Sequence, residues 1–438
     1  MSLTSDMVCS MGGIGMQQVS VETAIIGAGP AGLAAAQVLR GADVLVLEAG
    51  PVVGDRSQED PATLLEGVGG AGLYSDGKFS FWPSATVVWE LDPRLLDKAR
   101  RSLDGLLTRH GIDVASIGDA TASILPTTIM HTRFDKHYPS IYVPLDVRAR
   151  MISELSSGVD ILTASRVSRI AARSPGWMLH GETHGDGLRV ICKNLVIAAG
   201  RYGSLLVQDC LPQRAQTPIR VEVGVRIEQP AEHFFLKNHP RLDPKLIYRS
   251  SDRSIEWRTF CCCRNGAVVT GRSYGIESVS GHADGPPTAH SNVGFNVRIL
   301  DRRSIEAEWP RMRERLTRTH APVQSKLGSL LDERTRLPSE TAMLAEVLGR
   351  AMSARLSAGL AALVQDFPEG RLEQASIAGP TVEGVGMYLR HDSRLKTPLP
   401  GLWVAGDSAG DFRGLTAALI SGYVVGNAVL RPSDGVDE

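Results

Sequence analysis

The sequence predicts an α/β fold in which a parallel-sheet domain is assembled from distant chain segments and an α+β domain is inserted between them. Three observations predict it. Residues 22–50 (ETAIIGAGPAGLAAAQVLRGADVLVLEAG) read strand, glycine turn, helix, strand, a complete βαβ unit. Residues 401–426 (GLWVAGDSAGDFRGLTAALISGYVVG) return to strand–turn–helix order. Between them, stretches such as IRVEVGVRIE at 219–228 alternate apolar and polar residues, the period of half-buried antiparallel strands.

The elements follow in order. Ala24–Ile26 is a short buried strand, a helix rich in Ala and Leu runs to about Arg40, and Asp43–Glu48 is a second strand. Residues 51–90 are loop-rich. An amphipathic helix spans 93–111 and ends at a glycine, and another lies near 147–156. Strands are expected at 159–171, 176–181 and 188–200, and antiparallel strands across 217–299. Residues 301–365 are charged and helical, broken by Pro310, Pro322 and Pro338. These assignments divide the chain into a flexible tail (1–20), a discontinuous nucleotide-binding domain (21–60, 145–210 and 380–432), a covering loop and helical segment (61–144) and a substrate domain (211–379).

Composition bounds the function classes. A chain of 438 residues suffices for two domains, and a net charge of −1 argues against a nucleic-acid partner. Hydrophobic content of 43% with 22% charged residues is that of a globular protein. No apolar run approaches the ~18 residues that would span a membrane. The stretch MSLTSDMVCSMGGIGMQQ lacks the basic and apolar regions of a secretory signal. Cys9, Cys192, Cys210 and Cys261–Cys263 lack the spread of a disulfide framework, so a cytoplasmic setting is the simplest reading.

Gly27-Ala28-Gly29-Pro30-Ala31-Gly32 is the G-x-G-x-x-G of a dinucleotide site. Gly27 allows the tight turn, Gly29 admits a pyrophosphate and Gly32 brings helix against strand. The helix N-terminus offers free N–H groups to the phosphates. Glu48, 21 residues after Gly27 and followed by Ala49, suits the ribose hydroxyls and repels a 2′-phosphate. The strand ending in Gly406-Asp407 precedes a helix beginning near Arg413-Gly414-Leu415-Thr416. This pair resembles the second FAD fingerprint of glutathione-reductase-like flavoproteins, and Leu195–Gly200, ending in Ala199-Gly200, resembles the third. The resemblance implies a Rossmann-type FAD-binding domain. In it Asp407 would bind the ribityl chain and the following helix would point at the flavin C2 carbonyl. Val167, on the strand expected at 159–171, joins the cofactor set.

Gly69-Gly70-Ala71-Gly72-Leu73-Tyr74-Ser75-Asp76-Gly77-Lys78 resembles the GGAGTFSDGKL stretch of a bacterial family known mainly as uncharacterised FAD-dependent dehydrogenases. FCCCRNG at 260–266 matches its FCMCPGG, Ala321-Pro322-Val323-Gln324 its Ala-Pro-x-Gln, and Val382-Glu383-Gly384 its GVET-type segment. The resemblance covers most of 22–430. It implies cofactor contacts from Gly70, Ala71, Gly72, Ser75, Asp76, Gly77 and Lys78. The chain departs from the family at Arg264-Asn265, at Met387–Arg390 and at Gly410–Arg413, which implies a different substrate.

Flavin chemistry needs a neighbouring charge and a proton carrier. Arg413 would stabilise reduced flavin or hold a substrate carboxylate, His391 would act as general base, and Lys78 would contact the cofactor. Tyr74, His131, His137 and Tyr138 are further pocket residues. A regular strand places Cys261 and Cys263 on one side and Cys262 on the other, too far apart for an unstrained disulfide. With no ligand pair elsewhere for a metal, the three read as small buried strand residues. No second G-x-G-x-x-G unit marks a dedicated NAD(P)H domain. The expected activity is an FAD-dependent dehydrogenase or oxidase passing hydride from a small organic substrate to flavin N5, with oxygen or a separate acceptor taking the electrons. The alternatives are a monooxygenase or reductase that binds NAD(P)H transiently, and a non-catalytic flavin-binding scaffold.

Overall fold

A computed structural model of the chain describes residues 16–113, 125–126, 133–319, 321–331 and 338–431. Its first sheet has seven strands. Ile161–Leu162, Val44–Leu47, Met16–Ile26 and Asp186–Ile197 lie side by side in parallel, and Leu402–Val404 extends the parallel set from the C-terminal half of Asp186–Ile197. The N-terminal half of that strand instead pairs antiparallel with Trp177–Thr183, which pairs with Ser165–Ala172. One long strand thus serves three partners, Met16–Ile26 along one edge and two successive strands along the other. Its C-terminal half, LVI, is wholly buried, and its N-terminal half alternates, as parallel and half-exposed antiparallel pairing respectively require.

The helices Pro30–Val38 and Leu415–Leu430 pack together on this sheet. A Cβ on Gly422 would lie 2.9 Å from the Ala34 Cβ, so small residues set how close the two helices come. Helix Pro93–Arg109 is capped by Asp92, whose carboxylate accepts from the N–H groups of Arg94 and Leu95. It buries Leu95, Ala99, Leu103, Leu106 and Leu107 in the same core.

The second sheet has eight antiparallel strands in the order Val323–Lys326, Ser376–Leu389, Gln216–Pro230, His290–Ile299, Ile255–Cys263, Leu246–Arg249, Phe134–Asp135 and Leu125–Pro126. Its two faces differ in chemistry because side chains alternate. Val221, Val223, Val225 and Ile227, with Val293, Phe295, Val297 and Ile299, bury one face beneath helices Arg302–Arg318 and Arg350–Asp366. At roughly 1.5–3 kcal/mol per fully buried aliphatic side chain, this face holds the domain together. The intervening residues, including Arg220, Glu222, Arg226, Asn292 and Asn296, are also buried, and Arg298 beside them is partly buried.

Several expected boundaries shift. The first strand begins at Met16, inside the stretch read as a tail, because Met16–Val21 pair with Gly187–Cys192. The strand after the helical stretch runs to Leu389, so the second sheet continues past residue 380. Phe134–Asp135, within the segment read as a cover, belongs to that sheet. Pro310 does not break its helix. Ile305, Trp309, Met312 and Leu316 are anchored on both sides of it. Pro338 begins the helix Pro338–Leu348, where a missing N–H costs nothing.

Candidate functional site

The three fingerprint segments meet at the C-terminal ends of the parallel strands. Gly27 has φ +102°, and a Cβ there would press into the Ala198 carbonyl and to 3.0 Å from the Ala199 Cα. The Ser408 hydroxyl donates to the Gly200 carbonyl at 2.9 Å, and a Cβ on Gly406 would stand 2.9 Å from that of Ala31. Helix Pro30–Val38 starts at Gly29, with Pro30 at its first position, so the N–H groups of Ala31 and Gly32 have no helical acceptor. Gly70 lies against Gly29, with its Cα 3.8 Å from where a Gly29 Cβ would be. Gly72 fits between Pro30 and Leu415. These positions line a narrow seam of main chain, the glycine channel, where the first loop, the second glycine loop and the last helix meet in close contact.

Glu48 is buried at 6% exposure. It accepts from the N–H groups of Ala28 at 2.7 Å, Gly50 at 2.9 Å and Gly67 at 2.8 Å. The carboxylate therefore ties three loops together and, with about four lone-pair sites, keeps capacity for one more donor. The strand carrying Val167 starts beside it, since the N–H of Ser165 donates to the Glu48 carbonyl. A cavity of about 450 Å³ opens there, lined by Glu66, Arg166, Val167 and Tyr274 among others. Ala49 lies in the turn after Glu48.

Two arginines that sequence reasoning missed fix the Gly69–Lys78 loop. Arg56 donates to the carbonyls of Thr63, Leu64, Val68 and Gly70, with Tyr74 stacked on its guanidinium. Burial lowers its pKa to about 10. Arg148 donates to the carbonyls of Leu73 and Val143 and pairs with Asp284 at 2.5 Å, joining the loop to the second sheet's domain. Within the loop, the Ser75 hydroxyl donates to the Gly72 carbonyl, and Gly77 lies against Arg148 and Tyr142. Ala71 is in the short helix Gly70–Leu73.

Lys78 does not reach toward the channel. Its ammonium meets Asp76 at 2.9 Å, Asp243 at 3.4 Å and the Cys262 carbonyl at 2.5 Å, and it is buried. Burial opposes its charge, but Asp76 and Asp243 raise its pKa well above the ordinary value. The geometry makes it a tie between the loop and the second sheet.

Asp407, Arg413, Gly414 and Thr416 lie where the last helix begins, beneath the polar face of the second sheet. Arg413 pairs with Glu383 at 2.9 Å, Asp407 at 3.3 Å and Glu222 at 3.6 Å. Arg201 shares Glu383, Arg298 shares Glu222, and Arg220 bridges Glu222, Asp407 and Asp411. Although burial opposes it, Arg298, Arg413, Arg258 and Arg220 hold Glu222 well below the usual carboxylate range. Burial raises Asp411, against the pull of Arg220. Three buried polar atoms at this point, Asp407 Oδ1, Arg413 Nη2 and Thr416 Oγ1, have no hydrogen-bond partner among the described residues. Unmet hydrogen-bonding capacity beside a helix N-terminus suits a polar ligand.

Lys245, just ahead of the strand Leu246–Arg249, lies within reach of the same network, with Arg258, Glu222 and Arg298 all acting on it. Burial and then Arg258 lower its pKa to about 8. Sequence reasoning missed it because nothing in its neighbourhood along the chain marks it. His391 lies at the edge of the network, near enough to favour the charged form of Asp411, with Nδ1 3.0 Å from the Asp392 carbonyl and its ring against Phe412. Tyr138 donates to Asp243 at 3.0 Å, and His137 is held below its ordinary pKa by burial and Arg241. His131 lies outside the described residues. Arg264, at the family departure, donates to the carbonyls of Leu236, His239 and Arg241, and Asn265 forms the following turn at φ +50°.

The cysteine strand departs from regular geometry. Cys261 has φ +50°, and the pairing with His290–Ile299 slips between Phe260 and Cys263. This bulge brings the Cys261 and Cys263 sulfurs to 3.8 Å, closer than a flat strand allows.

Among the described residues no helix is long and apolar enough to cross a membrane. No curated protein matches the chain. Its fold is similar to several solved structures. A geranylgeranyl bacteriochlorophyll reductase-like protein from Thermoplasma acidophilum is 13% identical, over 95% of this chain and 80% of that one, with TM-score 0.42. The amino acid oxidase NikD of nikkomycin biosynthesis is 13% identical, over 96% of each chain, with TM-score 0.44. The anhydrotetracycline hydroxylase OxyS from Streptomyces rimosus is 16% identical, over 94% of this chain and 63% of that one, with TM-score 0.39. Residues 25–75, which hold the first glycine loop, Glu48 and most of the second glycine loop, match the NAD(P)-binding Rossmann-like domain.

Proposed function

We propose that the protein is an FAD-dependent oxidoreductase acting on a small organic molecule. The observation that carries this reading is the convergence of three glycine-rich turns beneath a buried polar sheet face. A dinucleotide needs the first feature, and a polar substrate needs the second. Bound FAD would supply the redox chemistry by accepting hydride from the substrate. The residues present fit it. Gly27, Gly32, Gly70 and Gly72 let the surrounding segments close up, and Gly29 stands beside the free N–H groups of Ala31 and Gly32, which would take a pyrophosphate. Glu48 has capacity for a ribose hydroxyl, and the cavity beside Val167 suits the adenosine end. Asp407 and Thr416 offer unmet polar atoms to the flavin half.

Arg413 would hold positive charge at the start of the last helix, where negative charge is stabilised. Lys245 is the group on the sheet face best suited to exchange a proton near neutral pH, since its amine loses its proton at about 8. Lys78 and Arg148 would position the Gly69–Lys78 loop. The test is reconstitution of the purified chain with FAD followed by anaerobic mixing with candidate donors. Bleaching by an organic substrate, with return of colour on admitting oxygen or an added acceptor, supports the reading. Bleaching by NADPH alone would favour the reductase or monooxygenase alternative, and failure to retain FAD would end both.

A further inference from the structure

Among the described residues, Cys261 and Cys263 are a pair of nucleophilic side chains whose spacing the cofactor site leaves unexplained. In a regular strand two residues apart means about 6.6 Å along the chain. Here the bulge and the left-handed backbone of Cys261 hold the sulfurs at 3.8 Å, with the Cys263 sulfur also 3.6 Å from the Cys261 carbonyl. A β-carbon on Gly281 would come to 2.7 Å from the Cys263 sulfur, so the neighbouring hairpin leaves room for that thiol. The flanking main chain is gripped by cations. Arg226 donates to the Cys261 carbonyl at 2.8 Å and Lys78 to the Cys262 carbonyl at 2.5 Å. Cys262 and Cys263 are buried, and Cys261 is partly exposed. The hydrogen bond from Cys261 lowers the pKa of Cys263, with Arg226 and Lys78 adding to the effect against burial. Buried Cys192, by contrast, is pushed up to about 12.

We propose that Cys261 and Cys263 form a reversible dithiol–disulfide couple oxidised by hydroperoxides. One thiolate attacks a peroxide oxygen, breaking the O–O bond, becoming a sulfenic acid and releasing water or an alcohol. The second thiol attacks that sulfur, forming the S–S bond and releasing water. Both thiol protons leave in these products, and the two electrons reduce the peroxide. Through the Cys262 carbonyl, the couple is one hydrogen bond from Lys78 and the glycine loop, so its state is felt where the cofactor loop is tied down.

The experiment uses the full-length, FAD-loaded protein and needs no turnover assay. The chain is reduced with dithiothreitol, exposed to stoichiometric hydrogen peroxide, alkylated and digested for mass spectrometry. The expected result is a peptide lighter by two hydrogens with Cys261 linked to Cys263, restored by dithiothreitol and retained in Cys262→Ser. Cys192 and Cys210 in the same sample stay alkylatable. Addition of two or three oxygens to either sulfur, a link through Cys262, or full alkylation of both thiols after peroxide would overturn the proposal.

Discussion

The glycine channel and the polar sheet face make opposite uses of the chain. In the channel, recognition of a dinucleotide would come from main-chain N–H groups, and the side chains that matter are the missing ones at Gly27, Gly29, Gly32, Gly70 and Gly72. On the sheet face, recognition would come from long charged side chains contributed by segments far apart in sequence, with Arg220, Glu222, Arg298, Glu383 and Arg413 sharing one network. The first kind of site tolerates almost no substitution at its defining positions. The second can be re-specified residue by residue, at the cost of leaving a buried partner unpaired.

The largest effect tests the channel. Gly27→Val places a branched side chain at φ +102°, against the Ala198 carbonyl. Strain and overlap together are expected to cost about 3 kcal/mol or more and to abolish FAD retention. Flavin absorbance per chain and the thermal midpoint check it. A variant that purifies with full FAD would show that the channel is not the dinucleotide site. On the sheet face, Arg413→Leu leaves Glu383 and Glu222 short of a partner. Because Arg413 is 29% exposed and both acids keep other arginines, the expected loss is about 2 kcal/mol in urea unfolding, below that for a fully buried pair.

That asymmetry also explains what was legible in the sequence. The spacing of Gly27, Gly29, Gly32 and Glu48 is local, and strand, turn and helix periodicity surround it, so the channel could be read directly. Gly406-Asp407 was legible for the same reason. The polar face was visible as alternation in IRVEVGVRIE, but alternation does not say which face meets solvent. Both faces are buried, because the dinucleotide domain folds over the charged one. Lys78 was read as a cofactor contact from its place in a loop motif, whereas its partner Asp243 lies 165 residues away. The close approach of the Cys261 and Cys263 sulfurs was not legible because a bulge depends on pairing with His290–Ile299, which no local pattern encodes.

Lys245 sharpens the comparison by separating stability from function on the sheet face. Its pKa is about 8 in the folded chain and about 10.4 when unfolded. The unfolded chain therefore binds more protons between these values, and stability should rise as pH climbs from 8 toward 10. Lys245→Met should stabilise the protein by about 1–2 kcal/mol at pH 7 and flatten that rise, while lowering turnover about tenfold with FAD content unchanged. Chemical unfolding at several pH values, alongside steady-state kinetics, measures both. Destabilisation at pH 7 would mean that the ammonium has a structural partner and is not held ready for substrate.

The smallest expected effect belongs to His391, the sequence's choice of general base. Its Nδ1 is engaged with the Asp392 carbonyl and its ring packs on Phe412, so it reaches the network only at the edge, through Asp411, and not at Arg413. His391→Ala should therefore change stability by no more than about 0.5 kcal/mol and kcat by no more than about threefold. The pH profile of kcat/KM should keep its limb near 8 if Lys245 carries the proton. A drop of two orders of magnitude with FAD retained would return the proton transfer to His391 and move the reacting atoms toward the Phe412 side of the last helix, away from the sheet face.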